Sequence, residues 1–182
     1  MGWIILAIVV VIAIVIIVIY NNLVTLRQRV QNAWSQIDVQ LQRRFDLIPN
    51  LVETVKGYMT HEKETLTKVT DLRSAWSNAQ SVEDKLNLEN ELSSTLKTIM
   101  AVAENYPNLK ADQSFNNLQN ELSDTEDKIS YSRQFYNDTV TIYNTKLETF
   151  PSNLIASIFG FKASTLFNVD NEEAKKAVNV KF

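Results

Sequence analysis

The sequence predicts an all-α protein: an antiparallel four-helix bundle with long helices, preceded by one N-terminal transmembrane helix that continues into or adjoins the first bundle helix. The beginning of the chain is almost wholly apolar, and the rest repeats apolar residues every three or four positions. Three Gly and three Pro are few for 182 residues, which favours long helices. We expect an anchor over residues 1–20, a bundle over 21–150, and a C-terminal apolar segment and tail over 151–182 that packs at the membrane-proximal end.

The first twenty residues are expected to cross a membrane. Residues 3–19 contain no polar side chain, and twenty helical residues span about 30 Å, the thickness of the hydrocarbon layer. A cleaved signal peptide is the alternative, but it would need a basic leader and a small-residue cleavage site. The predicted anchor side chains are Trp3, Ile4, Ile5, Leu6, Val10, Ile14, Ile19 and Tyr20.

The basic residues predict the orientation of this anchor. None precedes the apolar run, whereas Arg27 and Arg29 follow it closely. Because basic residues are retained on the cytoplasmic side, we expect a single-pass protein of the cell membrane with its N-terminus outside and its helical domain in the cytoplasm.

Proline and capping signals divide the remaining chain into four predicted helices. The first is expected to end at Arg43 and Arg44, with Asp46 capping the second helix and Pro49 in its first turn. Ser81 begins a capping box for the third helix, which ends before Pro107. The apolar row of the fourth helix, which ends before Pro151, comprises Phe115, Leu118, Leu122, Thr125, Ile129, Ser132, Tyr136, Thr139 and Tyr143.

Up-and-down helices bring the segment after Pro151 back to the membrane end of the bundle. Its possible membrane-surface residues are Leu154, Ile155, Ile158, Phe159, Phe161 and Lys162. One interpretation is docking onto the bilayer surface. The other, which we favour, is packing across the end of the bundle to complete its core.

Composition argues against several classes of chemistry. The chain has no Cys and a single His, so thiolate sites and multi-histidine metal sites within one chain are excluded. His61 and Glu62 resemble the start of a zinc-protease motif, but its second His is replaced by Thr65. The pI near 5.3 gives no support to nucleic-acid binding. We expect no enzymatic activity, no cofactor, no metal and no small-molecule substrate.

Several blocks of sequence closely resemble LemA family proteins. They are residues 20–24 (YNNLV), 32–41 (NAWSQIDVQL), 43–52 (RRFDLIPNLV), 55–58 (VKGY), 61–62 (HE), 132–137 (SRQFYN), 143–144 (YN), 150–156 (FPSNLIA) and 159–161 (FGF). The resemblance implies a membrane-anchored helical bundle with its N-terminus outside, and it brings no established enzymatic activity. Family members are sometimes found near genes for a membrane-embedded zinc protease, and one branch is linked to magnetosome membranes.

The partners expected are the lipid bilayer, further copies of the same chain, and other membrane proteins. Possible interface residues are Trp34, Arg43, Arg44, Asp46 and Asn50, although internal packing, capping and ion pairing explain the same residues. The leading functional hypothesis is a self-assembling scaffold that organises or shapes a membrane. The alternative is an adaptor for another membrane protein, such as a quality-control protease.

Overall fold

Six helices account for most of the chain in a computed structural model that describes residues 1–59 and 61–167. They are α1 (Gly2–Lys56), α2 (Lys63–Asn78), α3 (Val82–Ala103), α4 (Pro107–Lys110), α5 (Gln113–Glu148) and α6 (Ser152–Ile158). Those residues form no strand, so the predicted all-α class is confirmed, as is a long apolar helix at the N-terminus. The antiparallel four-helix arrangement stays a prediction.

The helices form two compact units. Unit 1 comprises Met1–Gln40 and Glu126–Leu166, and unit 2 comprises Leu41–Thr125 together with Phe167 among the described residues. The long helices α1 and α5 contribute residues to both units. The expected anchor over residues 1–20, bundle over 21–150 and C-terminal segment over 151–182 stay predictions.

The core of unit 1 follows the three-and-four spacing of the sequence. Its fully or nearly fully buried apolar residues are Leu23, Leu26, Val30, Ala33 and Ile37 of α1, Ile129, Tyr136, Val140 and Tyr143 of α5, and Ile155 and Ala156 of α6. Because residues at this spacing share one face of a helix, each helix buries a single stripe.

In unit 2, α2 and α3 run antiparallel. Tyr106, just after α3, donates hydrogen bonds of 2.9 Å to Glu62, just before α2. At the other end, Nζ of Lys85 lies 5.0 Å from the ring centroid of Trp76. The α1 part of the unit reaches the same Trp76, whose ring stacks on Phe45 with centroids 4.4 Å apart.

The predicted helix break at residues 43–50 is wrong, because α1 continues through it with Pro49 inside the helix. Proline removes one backbone hydrogen bond. A continuous helix nevertheless keeps one buried stripe, formed by Leu41, Phe45, Ile48, Leu51 and Val55, each at most 1% exposed. The helix ends instead at Lys56, where the N–H groups of Tyr58 and Met59 bond to the Val55 carbonyl.

Other local predictions are confirmed. The Ser81 hydroxyl accepts the Asp84 backbone N–H at 3.0 Å and so caps α3, and Pro107 begins the short helix α4. In the row of α5, the buried hydroxyls of Thr125 and Thr139 donate to the carbonyl four residues earlier. This satisfies the hydroxyls within their own helix.

Candidate functional site: the C-terminal segment beside the apolar helix

The first turns of α1 have the properties of a membrane span. An 18-residue window reaches a mean hydropathy of 3.5 with none of it buried in the protein. The predicted anchor side chains all lie on this part of the helix and are exposed, except for half-buried Ile19. A helix so long and apolar fits a single-pass membrane protein.

One face at the end of this apolar run is covered by protein. Ile16 and Ile19 are the only residues among the first twenty that are not exposed. Both pack against a small core formed by Leu23 of α1 and by Ile155 and Ala156 of α6. The packing stripe of unit 1 therefore begins inside the apolar run.

Two aromatic residues after α6 close over the same part of α1. The Phe159 ring lies 4.8 Å from the Tyr20 ring, and the Phe161 ring meets Tyr20 edge-on at 5.7 Å. The Arg27 guanidinium lies over the Phe161 ring, 5.2 Å from its centroid. These contacts combine ring packing with a cation–π interaction. They attach the C-terminal segment to the residues of α1 that follow the apolar run.

Gly160 allows the chain to turn back along α5. Its φ is +69°, a left-handed conformation that favours glycine. Gly160 lies in a turn that is closed by a hydrogen bond of 2.9 Å from the Phe161 N–H to the Ala156 carbonyl. The residues that follow therefore run beside α5.

Three α5 side chains hold the backbone of these following residues. Asn144 acts in both directions: its Nδ2 donates to the Ser164 carbonyl at 2.9 Å and its Oδ1 accepts the Ser164 N–H at 3.0 Å. The hydroxyls of Tyr143 and Tyr136 donate to the carbonyls of Lys162 and Thr165 at 3.0 and 2.8 Å. We call residues 161–166, held in this way, the strap.

Burial raises the pKa of both tyrosines that hold the strap. Desolvation raises the pKa of Tyr136, and it raises that of Tyr143 against an opposing effect of Arg27. The protonated hydroxyl, which is the form that donates the hydrogen bond, is thus favoured at neutral pH. Tyr136 also packs against Trp34, with ring centroids 5.9 Å apart.

The six predicted membrane-surface residues divide into two sets. Ile155 is buried and Phe161 is half-buried, as expected for packing within the protein. Leu154, Ile158 and Phe159 are 54%, 74% and 53% exposed, and Lys162 is exposed as well. The segment thus packs on α1 and also presents an apolar outer surface.

The predicted interface residues are divided between the two units. Trp34 belongs to unit 1 and is half-buried, whereas the other four lie on the α1 part of unit 2. Arg43 is exposed and lies 3.9 Å from Glu121. Asp46 accepts a hydrogen bond from Gln42 rather than capping a helix, and the Asn50 carbonyl accepts one from Thr54.

Arg44 is only 5% exposed, so its position does not support a surface role. Its Nη1 forms an ion pair with the fully buried Glu89 and donates to the Ser93 hydroxyl at 2.9 Å. The Ser93 hydroxyl in turn donates to the same Glu89 oxygen at 3.0 Å. The sequence did not identify this cluster, because Glu89 falls among ordinary charged residues of α3.

A second feature that the sequence analysis missed is an exposed apolar stripe on the unit 1 part of α5. Tyr131, Phe135 and Ile142 are 75%, 48% and 57% exposed. Spacings of four and seven residues place them on one helix face, away from the buried row. The stripe could have been found by asking which large apolar residues the predicted row leaves out.

No metal-binding group of three His, Cys, Asp or Glu side chains occurs within residues 1–59 and 61–167. His61 is exposed next to Glu62, whose carboxylate accepts the Tyr106 hydroxyl. This hydrogen bond raises the pKa of Tyr106. On the opposite side of the same turn, Tyr58 donates to Asp112 at 3.1 Å. These contacts hold the turn between α1 and α2.

Comparison with known proteins gives the family. The LemA family matches residues 33–182. Protein LemA of Metamycoplasma hominis is 31% identical over 157 residues, which cover 82% of this chain and 72% of that protein. Magnetosome protein MamQ 2 of Paramagnetospirillum magneticum is 25% identical, and magnetosome protein MamQ of Magnetospirillum gryphiswaldense is 24% identical; each match covers 64% of the relative and about four fifths of this chain. With its N-terminal apolar helix and its all-helical fold, the chain belongs to the LemA family.

Proposed function

We propose that this protein is a non-enzymatic scaffold, held in the cell membrane by α1, that self-assembles and thereby organises or shapes that membrane. The observation that carries the proposal is the exposed stripe of Tyr131, Phe135 and Ile142. Exposed apolar patches on a folded protein commonly mark interaction surfaces. Two relatives, named magnetosome proteins, support an association with a cellular structure.

We assign a second copy of the chain as the partner that binds this stripe. Anchored copies share one orientation and one surface, so the stripe of each copy lies at the same distance from the bilayer. Confinement also raises the effective concentration of one copy for another. A stripe that meets its own counterpart forms a twofold contact, and further contacts would then extend a dimer into a larger assembly.

Cysteine cross-linking in intact membranes tests this proposal, since the chain has no native Cys. Phe135→Cys and Ile142→Cys are expected to form disulfide-linked dimers on mild oxidation. Thr141→Cys, exposed beside the stripe, is the matched control and is expected to link several-fold more slowly. Amine cross-linking of the wild type should give a ladder of species that Phe135→Ser with Ile142→Ser abolishes. Protein that stays monomeric at its cellular density would overturn the proposal.

The proposed orientation, with the N-terminus outside and the helical domain in the cytoplasm, rests on Arg27 and Arg29 after the apolar run. Single Cys residues at exposed positions on both sides of the run test it with a membrane-impermeant reagent on intact cells. Labelling is expected at Gly2→Cys and not at Thr141→Cys. The reverse pattern would place the domain outside.

An adaptor for another membrane protein is the second candidate function. It is favoured by a groove of about 630 Å³ in unit 2, whose lining includes Val52, Met59 and Leu66 with Lys63 and Asp71. An apolar floor with charged edges suits an amphipathic helix of a partner. Thr67→Trp would fill this groove. A partner recovered with the wild type and lost with this variant would support the adaptor, whereas recovery of the bait alone would count against it.

A further inference from the structure

The short helix α6 has two apolar faces. Ile155 and Ala156 are buried against α1, whereas Leu154 and Ile158 point outward and Phe159 follows them with half of its surface exposed. Leu154 and Ile158 are one turn apart and therefore lie together. A water-facing helix would normally carry polar residues on this outer face. The outer face thus requires an apolar environment of its own.

Contacts with α1 fix where this outer face lies along the apolar run. The run ends at Ile19, and α6 belongs to the cluster against which both Ile16 and Ile19 pack. At about 1.5 Å per residue, Ile16 lies about 5 Å inside the end of the run. If the run fills the hydrocarbon layer, α6 lies at the boundary between the hydrocarbon and the lipid headgroups.

Polar groups lie where headgroups would meet the protein. Tyr20 directly follows the run, and an aromatic ring with a hydroxyl suits the interface. The side chains of Arg27, eight residues beyond the end of the run, and of Lys162, next to Phe161, are both exposed. Because Arg27 lies over Phe161, the apolar residues and the cations belong to one continuous surface.

We propose that α6 is a second membrane contact, with Leu154, Ile158 and Phe159 inserted at the headgroup boundary of the leaflet that α1 leaves. The occupant of this surface is the lipid bilayer. Lys162 and Arg27 face the phosphates, as the basic residues of interfacial helices do. The contact is separate from the self-assembly stripe, because no residue is shared between them.

Spin-label accessibility on the full chain in vesicles of zwitterionic and anionic phospholipid tests the proposal. Single labels are placed at Leu154→Cys, Ile158→Cys and Phe159→Cys, with Val18→Cys as the lipid-exposed reference. Val39→Cys, equally exposed and apolar but on α1 beyond the apolar run and outside the self-assembly stripe, is the matched control. At the three α6 positions we expect collisions with dissolved oxygen to exceed those with a water-soluble nickel chelate, as at Val18, and the reverse at Val39.

Two results would overturn the proposal. A nickel-chelate accessibility at positions 154, 158 and 159 equal to that at position 39 would show that α6 faces water. Protection from both agents would show that protein, such as a second copy, covers the face. Leu154, Ile158 and Val39 are at least half exposed, so labelling there should leave the fold intact. Phe159 also contacts Tyr20, and an unchanged circular dichroism spectrum verifies the fold of each labelled variant. If Phe135→Cys formed no disulfide-linked dimers, the proposed self-assembly would be wrong, whereas the membrane contact of α6 would still be supported by the accessibility measurements.

Discussion

The rings of Tyr20 and Phe159 lie 4.8 Å apart, although these residues are 139 positions apart in the sequence. Tyr20 directly follows the apolar run of α1, and Phe159 directly follows α6. The contact joins the first and the last chain segments of unit 1 at the position where the apolar run ends. The C-terminal segment therefore packs on α1 at the point where its apolar run ends.

Tyr20→Ala is expected to lower the stability of unit 1. The substitution removes the contacts with Phe159 and Phe161, each worth about 0.5–1.5 kcal/mol beyond buried area. The expected loss is about 1–3 kcal/mol, measured by thermal unfolding in detergent. Val39→Ala, which shortens a side chain that is 64% exposed and lies outside the stripe, is the control and should change the unfolding temperature little. Equal effects of the two variants would contradict the role of Tyr20.

Asn144→Leu is expected to release the strap. It abolishes both hydrogen bonds between the Asn144 amide and the Ser164 backbone, each worth about 0.5–1.5 kcal/mol. Amide exchange of residues 162–166 should accelerate while exchange of the α5 core is retained. Asn116→Leu, on the exposed beginning of α5, serves as the control. Unchanged exchange at Ser164 would show that other contacts hold the strap.

Periodicity predicted much of this architecture, because apolar residues three and four apart on α5 share a face wherever the helix is placed. The Ser81 cap was also predictable, because its partner, Asp84, lies only three residues away in the sequence. The pairings of Asn144 with Ser164 and of Arg44 with Glu89 were not. They join residues 20 and 45 positions apart, and their geometry depends on how separate helices pack.

Glu89→Ala is expected to destabilise unit 2 strongly. The substitution removes the carboxylate that neutralises the buried guanidinium of Arg44, and breaking such a pair costs about 3–5 kcal/mol. Arg43→Ala, which loses only an exposed ion pair with Glu121, should cost about 0–1 kcal/mol. Urea unfolding measures both. The double variant Arg44→Met with Glu89→Leu should recover most of the loss, and failure to do so would mean that the pair contributes chiefly through its hydrogen bonds.

Asp112 should make the stability of unit 2 depend on acid pH. Hydrogen bonds from the Phe115 N–H and from Tyr58 lower the pKa of this carboxyl, so the folded state favours the ionised form. Its stabilising effect is complete above the ordinary carboxyl pKa and is lost as the pH falls through the lowered value. Urea midpoints measured between neutral and strongly acid pH should therefore fall less for Asp112→Asn than for wild type. Asp124→Asn, exposed on α5, the helix that Asp112 precedes, should retain the wild-type slope.

Pro49→Ala is expected to stabilise unit 2. Pro49 lies inside α1 and is exposed, so alanine at this position would restore a backbone N–H donor and remove the ring without disturbing the core. Proline is about 3 kcal/mol less favourable than alanine within a helix, and a gain of about 1–3 kcal/mol in urea unfolding is expected. Asn50→Ala, at the exposed neighbouring position, changes helix propensity alone and should gain less than about 1 kcal/mol. A loss of stability in Pro49→Ala would contradict a continuous α1, since alanine would then replace a proline that begins a second helix.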